Sequence, residues 1–345
     1  MRQAGNVSHQ PAPQPGAPTT GAPDPVIARW LQRTLTADPP RARSLVVTVW
    51  GDALAPHGGE IWLAALIRLL APLGINERLT RTSVFRLARD GWIEGQAHGR
   101  RSRYRLTRGG RQRFEAAYRR IYAPPLATWS GEWEVVIDPP GDGDAQARQR
   151  RRDELRWEGF GTLAPGCFVR PRVHGAMAPL DDDPASRDAA AAPAVDATAA
   201  PHAAGAVVLH TVEAFPASLA GRVGTLWDLG AVADGYRRFL ALFGGVIERF
   251  RMRDIAASDP AQCFAVRTLL IHAFRRVLLR DPRLPATLLP LDWPGAAAYA
   301  LTRDFYRLTL ARAEAHLAAT YAAVGDALPP ADISFGRRFG GLLAP

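Results

Sequence analysis

A chain of 345 residues with 47% hydrophobic content is long enough for two or three domains and can bury real cores, which excludes a wholly disordered protein. A net charge of +10 favours an acidic partner such as nucleic acid, a phosphorylated ligand or an anionic surface. Only two cysteines occur, Cys167 and Cys263, and no CxxC or Cys/His cluster, so neither a zinc site nor a disulfide framework is expected and a reducing cytoplasm fits.

Residues 1–25 are rich in Pro, Gly, Ala and Gln and lack an apolar run, which predicts a disordered tail and no signal peptide. No segment has eighteen consecutive apolar residues, so no membrane span is expected. A helical piece, "PVIARWLQRTLT", stops at "DPPRARS", and a compact block follows to Tyr122, giving a first domain over 26–122. In it, "EIWLAALIRLLAPLG" (60–74) reads as one helix with Ile61, Leu63, Leu66, Ile67 and Leu70 on its apolar face, ended by Pro72 and Gly74. Thr80 is the expected cap of the next helix. There Val84, Leu87 and Ala88 recur at helical spacing and face inward, leaving Arg81, Thr82, Phe85, Arg86 and Arg89 outward. "WIEGQAHG" and "RRSRYRLT" then form a hairpin whose second strand alternates Ser102, Tyr104 and Leu106 against Arg101, Arg103 and Arg105. A further helix, "RGGRQRFEAAYRRIY", leads out of the block.

The basicity is local. Residues 76–120 carry thirteen arginines and four acids (Glu77, Asp90, Glu94, Glu115), a net of +9 out of the +10 of the whole chain. Helices followed by a basic hairpin are the parts of a winged helix-turn-helix, whose third helix enters the major groove and whose hairpin touches the flanking backbone. The residues expected on DNA are Arg78, Thr80, Arg81, Thr82, Ser83, Phe85, Arg86 and Arg89 of the helix with Arg100, Arg101, Arg103 and Tyr104 of the wing. The planar Arg fork matches guanine edges, and the wing arginines would mostly neutralise phosphates. The competing reading, a solvated basic face, loses weight because the charge sits on both the helix and the hairpin. His57 and Glu60 fit no ligand spacing and are read as a loop with a helix start.

"EWEVVID" (132–138), a helix over 145–160, the strand "GTLAPGCFVRP", the strand "AVVLHTVEAF" (206–215) and a helix around 230–245 give a β-α-β-β-α order over 129–256. This resembles a ferredoxin-like module, similar to the small CRISPR-associated nucleases of that fold. Asp138 stands where such nucleases hold a metal, but a lone carboxylate builds a poor Mg²⁺ site, and the module is read as a dimerisation or ligand-framing domain. The Ala/Asp/Pro-rich stretch 179–205 is expected to be a disordered insertion. Residues 257–325 are expected to be all-helical. Phe264, Leu269, Leu270, Phe274, Val277 and Leu278 surround one helix nearly on all sides, as in a central buried helix. The fold class is therefore α+β.

"SLVVTVWGDALAPHGGEIWLAALIRLLAPLGINERLTRTSVFRLARDGWIEGQAHGRRSRYRLTRGG" (44–110) resembles the N-terminal domain of the PaaX family of repressors of phenylacetic acid degradation operons. The likeness continues in "WSGEWEVVI", "GFGTLAPGCFVRP" and residues 267–317, covering the chain from about 41 to 320 apart from the insertion. It implies a homodimer on double-stranded operator DNA, released by an aryl-CoA thioester, phenylacetyl-CoA. Arg267, His272, Arg275 and Arg276 are then candidate effector contacts, with Trp293 as an aromatic wall. The favoured alternative makes the charged residues an ion-paired helix edge with Asp281 or Asp304, and Trp293 a wedge between helices. Other readings are a regulator of the same architecture for another acyl-CoA or aromatic catabolite, a nuclease, or a nonspecific DNA-coating protein. No catalytic triad, paired carboxylates, Walker loop or GxGxxG occurs, so no enzymatic activity, cofactor or metal is expected.

Overall fold

The computed structural model describes residues 21–125, 129, 131–138, 145–172, 206–212 and 220–342. The expected tail over 1–20 and the expected insertion at 179–205 lie outside them. Residues 21–25, expected to belong to the tail, are instead anchored. Ala22 bridges to Ser258 in parallel, and the Asp24 backbone exchanges hydrogen bonds of 2.8 and 2.9 Å with the Gln262 side chain. The buried Asp24 carboxylate caps α1 (Pro25–Ala37) and also pairs with Arg249 and Arg253. Proline at the first helical position loses no hydrogen bond there.

The next elements alternate in a compact order: α2 (Ala42–Val49), β1 (Glu60–Trp62), α3 (Leu63–Leu70), α4 (Glu77–Arg89), β2 (Ile93–His98), β3 (Arg101–Leu106) and α5 (Arg108–Tyr122). The predicted helix over 60–74 is therefore shorter than expected. Glu60–Trp62 pairs antiparallel with Arg105–Arg103, giving a three-stranded sheet in the order β1-β3-β2. A continuous apolar run does not distinguish strand from helix, and the pairing partner decides. Thr80 does not cap α4. Asn76 does, its side chain accepting from Leu79 N at 2.9 Å, while Thr80 is fully buried and donates back to Asn76 O. Gly110, in the first turn of α5, is obligatory, because a Cβ there would meet the Trp92 carbonyl at 1.9 Å.

The central sheet has β4 (Glu132–Ile137), β5 (Gly161–Ala164), β6 (Cys167–Pro171) and β7 (Val207–Val212), with α6 (Ala145–Trp157) after the first strand. The expected single strand over 161–171 is a hairpin, turned at Gly166 with φ +75°. All pairs are antiparallel in the order β5-β6-β4-β7. Alternation along β4 separates two small cores: Trp133 packs with Val169 and Trp227 on one face, and Val136 with Phe168, Phe160 and Leu155 of α6 on the other.

After the single turn α7 (Val223–Leu226) come α8 (Leu229–Arg251), α9 (Pro260–Leu278), α10 (Gly295–Ala322) and the short α11 (Ile333–Gly336). A helix near 230–245 is expected in the central module, yet Tyr236, Phe239, Phe243, Ile247 and Phe250 of α8 join the same core as α9 and α10. That core also holds Val49, Trp50, Leu66, Val84 and Leu87 from the first block, so one continuous interior joins the N-terminal block to the C-terminal helices. α9 runs through it, buried on all sides from Gln262 to His272. Structure also continues past the expected end at 325, with Phe335, Phe339 and Leu342 packed into this core.

Candidate nucleic-acid interface

α4 presents two chemically different sides. Val84 and Leu87 are buried, as the spacing predicts, and Thr80 and Ser83 lie on the same inward side. Two of the residues expected on DNA, Thr80 and Ser83, are therefore turned into the core, because they share the helical stripe of Val84 and Leu87. Arg78, Arg81, Thr82, Phe85, Arg86 and Arg89 are exposed, and Phe85 is 66% exposed in spite of its ring. Arg81 is engaged with Glu77 one turn earlier at 2.7 Å, and Arg89 lies 3.5 Å from Asp90, which also receives Arg43 at 2.6 Å. Among the described residues Arg78 and Arg86 have no acidic partner, so both guanidiniums are available to a ligand.

The hairpin differs from expectation in what its arginines touch. Arg100 sits exposed at the turn with Gly99 and, among the described residues, has no acidic partner. Arg101 lies over the Trp62 ring, 4.1 Å from its centroid, and donates to Val324 O at 2.6 Å. Arg103 pairs with Glu60 at 2.8 Å and with Asp326 at 3.4 Å. Tyr104 is half-buried, its ring lying across Gly95 of the paired strand. The hairpin is thus fastened next to its turn, through Arg101 and Arg103, to the segment that follows α10, while Arg100 at the turn itself stays exposed.

The candidate effector residues on α9 do not converge. Arg267 is enclosed, 0% exposed, with Glu314 at 3.0 Å, Asp52 at 3.8 Å and the Tyr306 ring 4.7 Å away. Burial alone would lower its pKa, but Tyr306, Glu314 and Asp52 raise it overall. His272 is buried against Thr48, Nδ1 to Oγ1 at 2.9 Å. Thr48 donates its own proton to Ser44 O at 3.0 Å, so His272 carries its proton on Nδ1. Arg275 donates to Thr48 Oγ1 at 3.1 Å, and Arg276 lies 3.6 Å from Asp38 beside a cleft of about 900 Å³. Neither expected partner is used: Asp281 accepts from Tyr236 and Asp304 pairs with Arg303. Trp293 lines a separate cavity.

Sequence reasoning missed the buried charge cluster that ties this block down. A π-helical turn, Trp50–Leu54, carries Asp52, which is 2% exposed. Its Oδ1 accepts from Tyr122 at 2.5 Å, Tyr306 at 3.0 Å and Arg338 at 3.1 Å. Arg338, 0% exposed, also lies 4.1 Å over the Tyr122 ring and donates to the Tyr306 hydroxyl. Nearby, His57 contacts Pro329 O at 2.6 Å and Glu314 at 2.9 Å. Burial would raise the Glu314 pKa, but the His57 hydrogen bond and the Arg267 charge bring it down to about 2. The only signal in the sequence was an acid inside the apolar run "VVTVWGDALAP".

His272 makes a pH prediction. Burial, with the Arg275 and Arg276 charges, brings its pKa down to about 4 from an ordinary 6.5. The folded state then binds fewer protons than the unfolded chain between these values, so its contribution is full above pH 6.5 and is lost as pH falls toward 4. The span corresponds to roughly 3 kcal/mol. Glu314 adds a second loss below about pH 4.5. Denaturant titrations at pH 7 and 5 should show wild type weakening between the two, and His272→Gln should lose most of that difference. An equal pH slope in both proteins would refute the assignment.

At Asp138 the carboxylate is paired with Arg151 at 3.3 Å, and the described residues contain no group of three or more His, Cys, Asp or Glu placed to hold a metal ion. No helix among them is long and apolar enough to cross a membrane.

Three family descriptions match successive parts of the chain: PaaX-like protein over residues 41–110, the PaaX protein central Cas2-like domain over 126–178, and the PaaX-like protein C-terminal domain over 227–319. The chain is 32% identical over 325 residues to the transcriptional repressor PaaX of Escherichia coli (strain K12), covering 91% of this chain and 94% of that one. A solved structure of an uncharacterized protein from Mycobacterium tuberculosis is 30% identical, covers 79% of this chain and 97% of its own, and superposes with a TM-score of 0.48. With three family domains in order and one relative matched nearly end to end, this chain belongs to the PaaX family of transcriptional repressors.

Proposed function

We propose that the chain represses transcription of an aromatic, phenylacetate-type catabolic operon by binding operator DNA as a homodimer in the cytoplasm, and that an aryl-CoA thioester, phenylacetyl-CoA, releases it. The observation that carries the DNA reading is the exposed face of α4, where Arg78 and Arg86 stand without acidic partners beside Thr82 and Phe85. The order helix, strand, helix, helix, strand, strand supports a winged helix-turn-helix over 41–110, with α4 as the helix that enters the major groove. Arg100 at the tip is the hairpin residue best placed for phosphate. Arg101 and Arg103 act first in holding the hairpin to the segment that follows α10.

The sheet order of the central module, with its first strand in the middle and all strands antiparallel, supports a ferredoxin-like framework. Its edge strand β7 exposes Val207, Val208 and Leu209, which supports self-association through this module. The chain is a regulator and not an enzyme.

The test is a mobility-shift titration on the chain's own promoter and on a scrambled duplex at one salt concentration, with and without phenylacetyl-CoA. Binding should favour the promoter by at least about a thousandfold and fall when the thioester is added. Equal affinity for both duplexes with a steep salt slope would mean nonspecific coating. Release by a different acyl-CoA alone would change the effector and leave the repressor reading intact.

A further inference from the structure

A cavity of about 290 Å³ lies where the end of α5, α8, α9, the 281–293 loop and the start of α10 meet. An apolar cavity of about 150 Å³ suffices for one benzene molecule, so this one has room for a ring and a short substituent. Its walls include Tyr236, Phe274 and Trp293, with the Tyr236 and Trp293 rings edge to face at 6.0 Å. Two guanidiniums, Arg120 and Arg283, also line it, and both are anchored to carbonyls: Arg120 to Trp157 O at 2.7 Å and to Asp281 O, Arg283 to Pro124 O at 3.0 Å. The acid among the lining residues, Asp281, is spent on the Tyr236 hydroxyl and the Arg283 amide, each at 2.7 Å. The site therefore carries a net positive charge.

Two further features mark the cavity as built for an occupant. Tyr299 is 9% exposed and its buried hydroxyl has no hydrogen-bond partner, although it lines the cavity. A buried hydroxyl left unpaired costs about 1–3 kcal/mol. Arg283 has a backbone φ of +56°, a conformation uncommon for a side-chain-bearing residue and enriched at ligand sites.

We propose that this cavity binds an aromatic ring joined by a short linker to a carboxyl or acyl carbonyl group, with the ring against Trp293 and Phe274 and the oxygen meeting the Tyr299 hydroxyl and the Arg283 guanidinium. Its occupancy is reported to the DNA-binding block through Arg120 and Pro124 at the end of α5, whose other end begins directly after β3 of the hairpin. This deepens the effector reading above and rests on it for its biological meaning.

The experiment is isothermal titration of the full chain with phenylacetyl-CoA, acetyl-CoA and free phenylacetate, alongside operator binding without ligand. The ring-bearing thioester should bind at least about tenfold tighter than acetyl-CoA. Tyr299→Phe should weaken it about tenfold, since a single hydroxyl is lost while the ring stays. Ala296→Trp, a substitution at an exposed position on the cavity rim, should weaken it further, and Arg283→Gly removes the charge while easing the backbone. Unchanged melting temperatures would show that the variants fold. If phenylacetyl-CoA still binds all three variants as it binds wild type and still releases operator, the cavity is not the site and the repressor reading stands. If wild type grips its operator but binds none of the three compounds, both the effector reading and this site are overturned.

Discussion

Asp52→Ala is expected to destabilise the fold by about 3–5 kcal/mol. The carboxylate accepts from Tyr122, Tyr306 and Arg338 and faces Arg267, and all of these side chains are buried. Removing it leaves two guanidiniums in the interior with Glu314 as their remaining acid among the described residues. Burying an unmatched charge costs more than the pair itself contributes, which is why breaking such a pair is expensive. Arg338→Met tests the same point from the other side. It leaves Asp52 with Arg267 and two tyrosine hydroxyls, so its cost should be smaller than that of Asp52→Ala. Urea unfolding followed by far-UV circular dichroism gives both values, and a loss below about 1 kcal/mol for Asp52→Ala would show that the cluster is solvated in solution.

On the DNA side, Arg86→Ala should cost about 1–3 kcal/mol on the operator and much less on random sequence, which lowers discrimination. Arg86 is exposed on α4 with no acidic partner among the described residues, so its fork is free to meet a guanine edge. Arg100→Ala should weaken all duplexes alike and reduce the salt slope by about one unit, as a phosphate contact would. Arg101→Ala has a different expected signature, because Arg101 holds Trp62 and Val324 and its loss leaves the Arg103–Asp326 pair to tie the hairpin to the segment after α10. Fluorescence anisotropy across a salt series on specific and random duplexes separates the three. Identical losses on both duplexes for Arg86→Ala would mean that α4 does not read bases.

Much of the exposed face of α4 was legible because it obeys one period. Val84 and Leu87 against Arg81 and Arg86 follow from 3.6 residues per turn. The same rule, applied strictly, would also have placed Thr80 and Ser83 inside, but their polarity suggested contact with DNA. Glu60–Trp62 was misplaced because a strand's identity lies in its partner, which here is Arg103–Arg105 of β3, far along the chain. The pairing of the hairpin arginines with Val324 and Asp326 left no trace in local pattern. Nor did Asp52 with Arg338, which lie 286 residues apart, since arginine is common throughout this lysine-free chain. Order alone places a helix around 230–245 in the central module, whereas the aromatic face of α8 belongs to the larger interior.

That shared interior has a consequence for how such regulators diversify. Many DNA-reading modules are transplanted between proteins as independent cassettes joined by a linker. Here Thr48 meets His272, Asp52 meets Arg338, and His57 meets Glu314, each across the chain from the first block to the last helices. A chimera that exchanges residues 41–122 alone would leave all three matches to chance, so on the proposed reading new operator preferences in this architecture arise by substitution on the outer face of α4, with the block kept in its own chain.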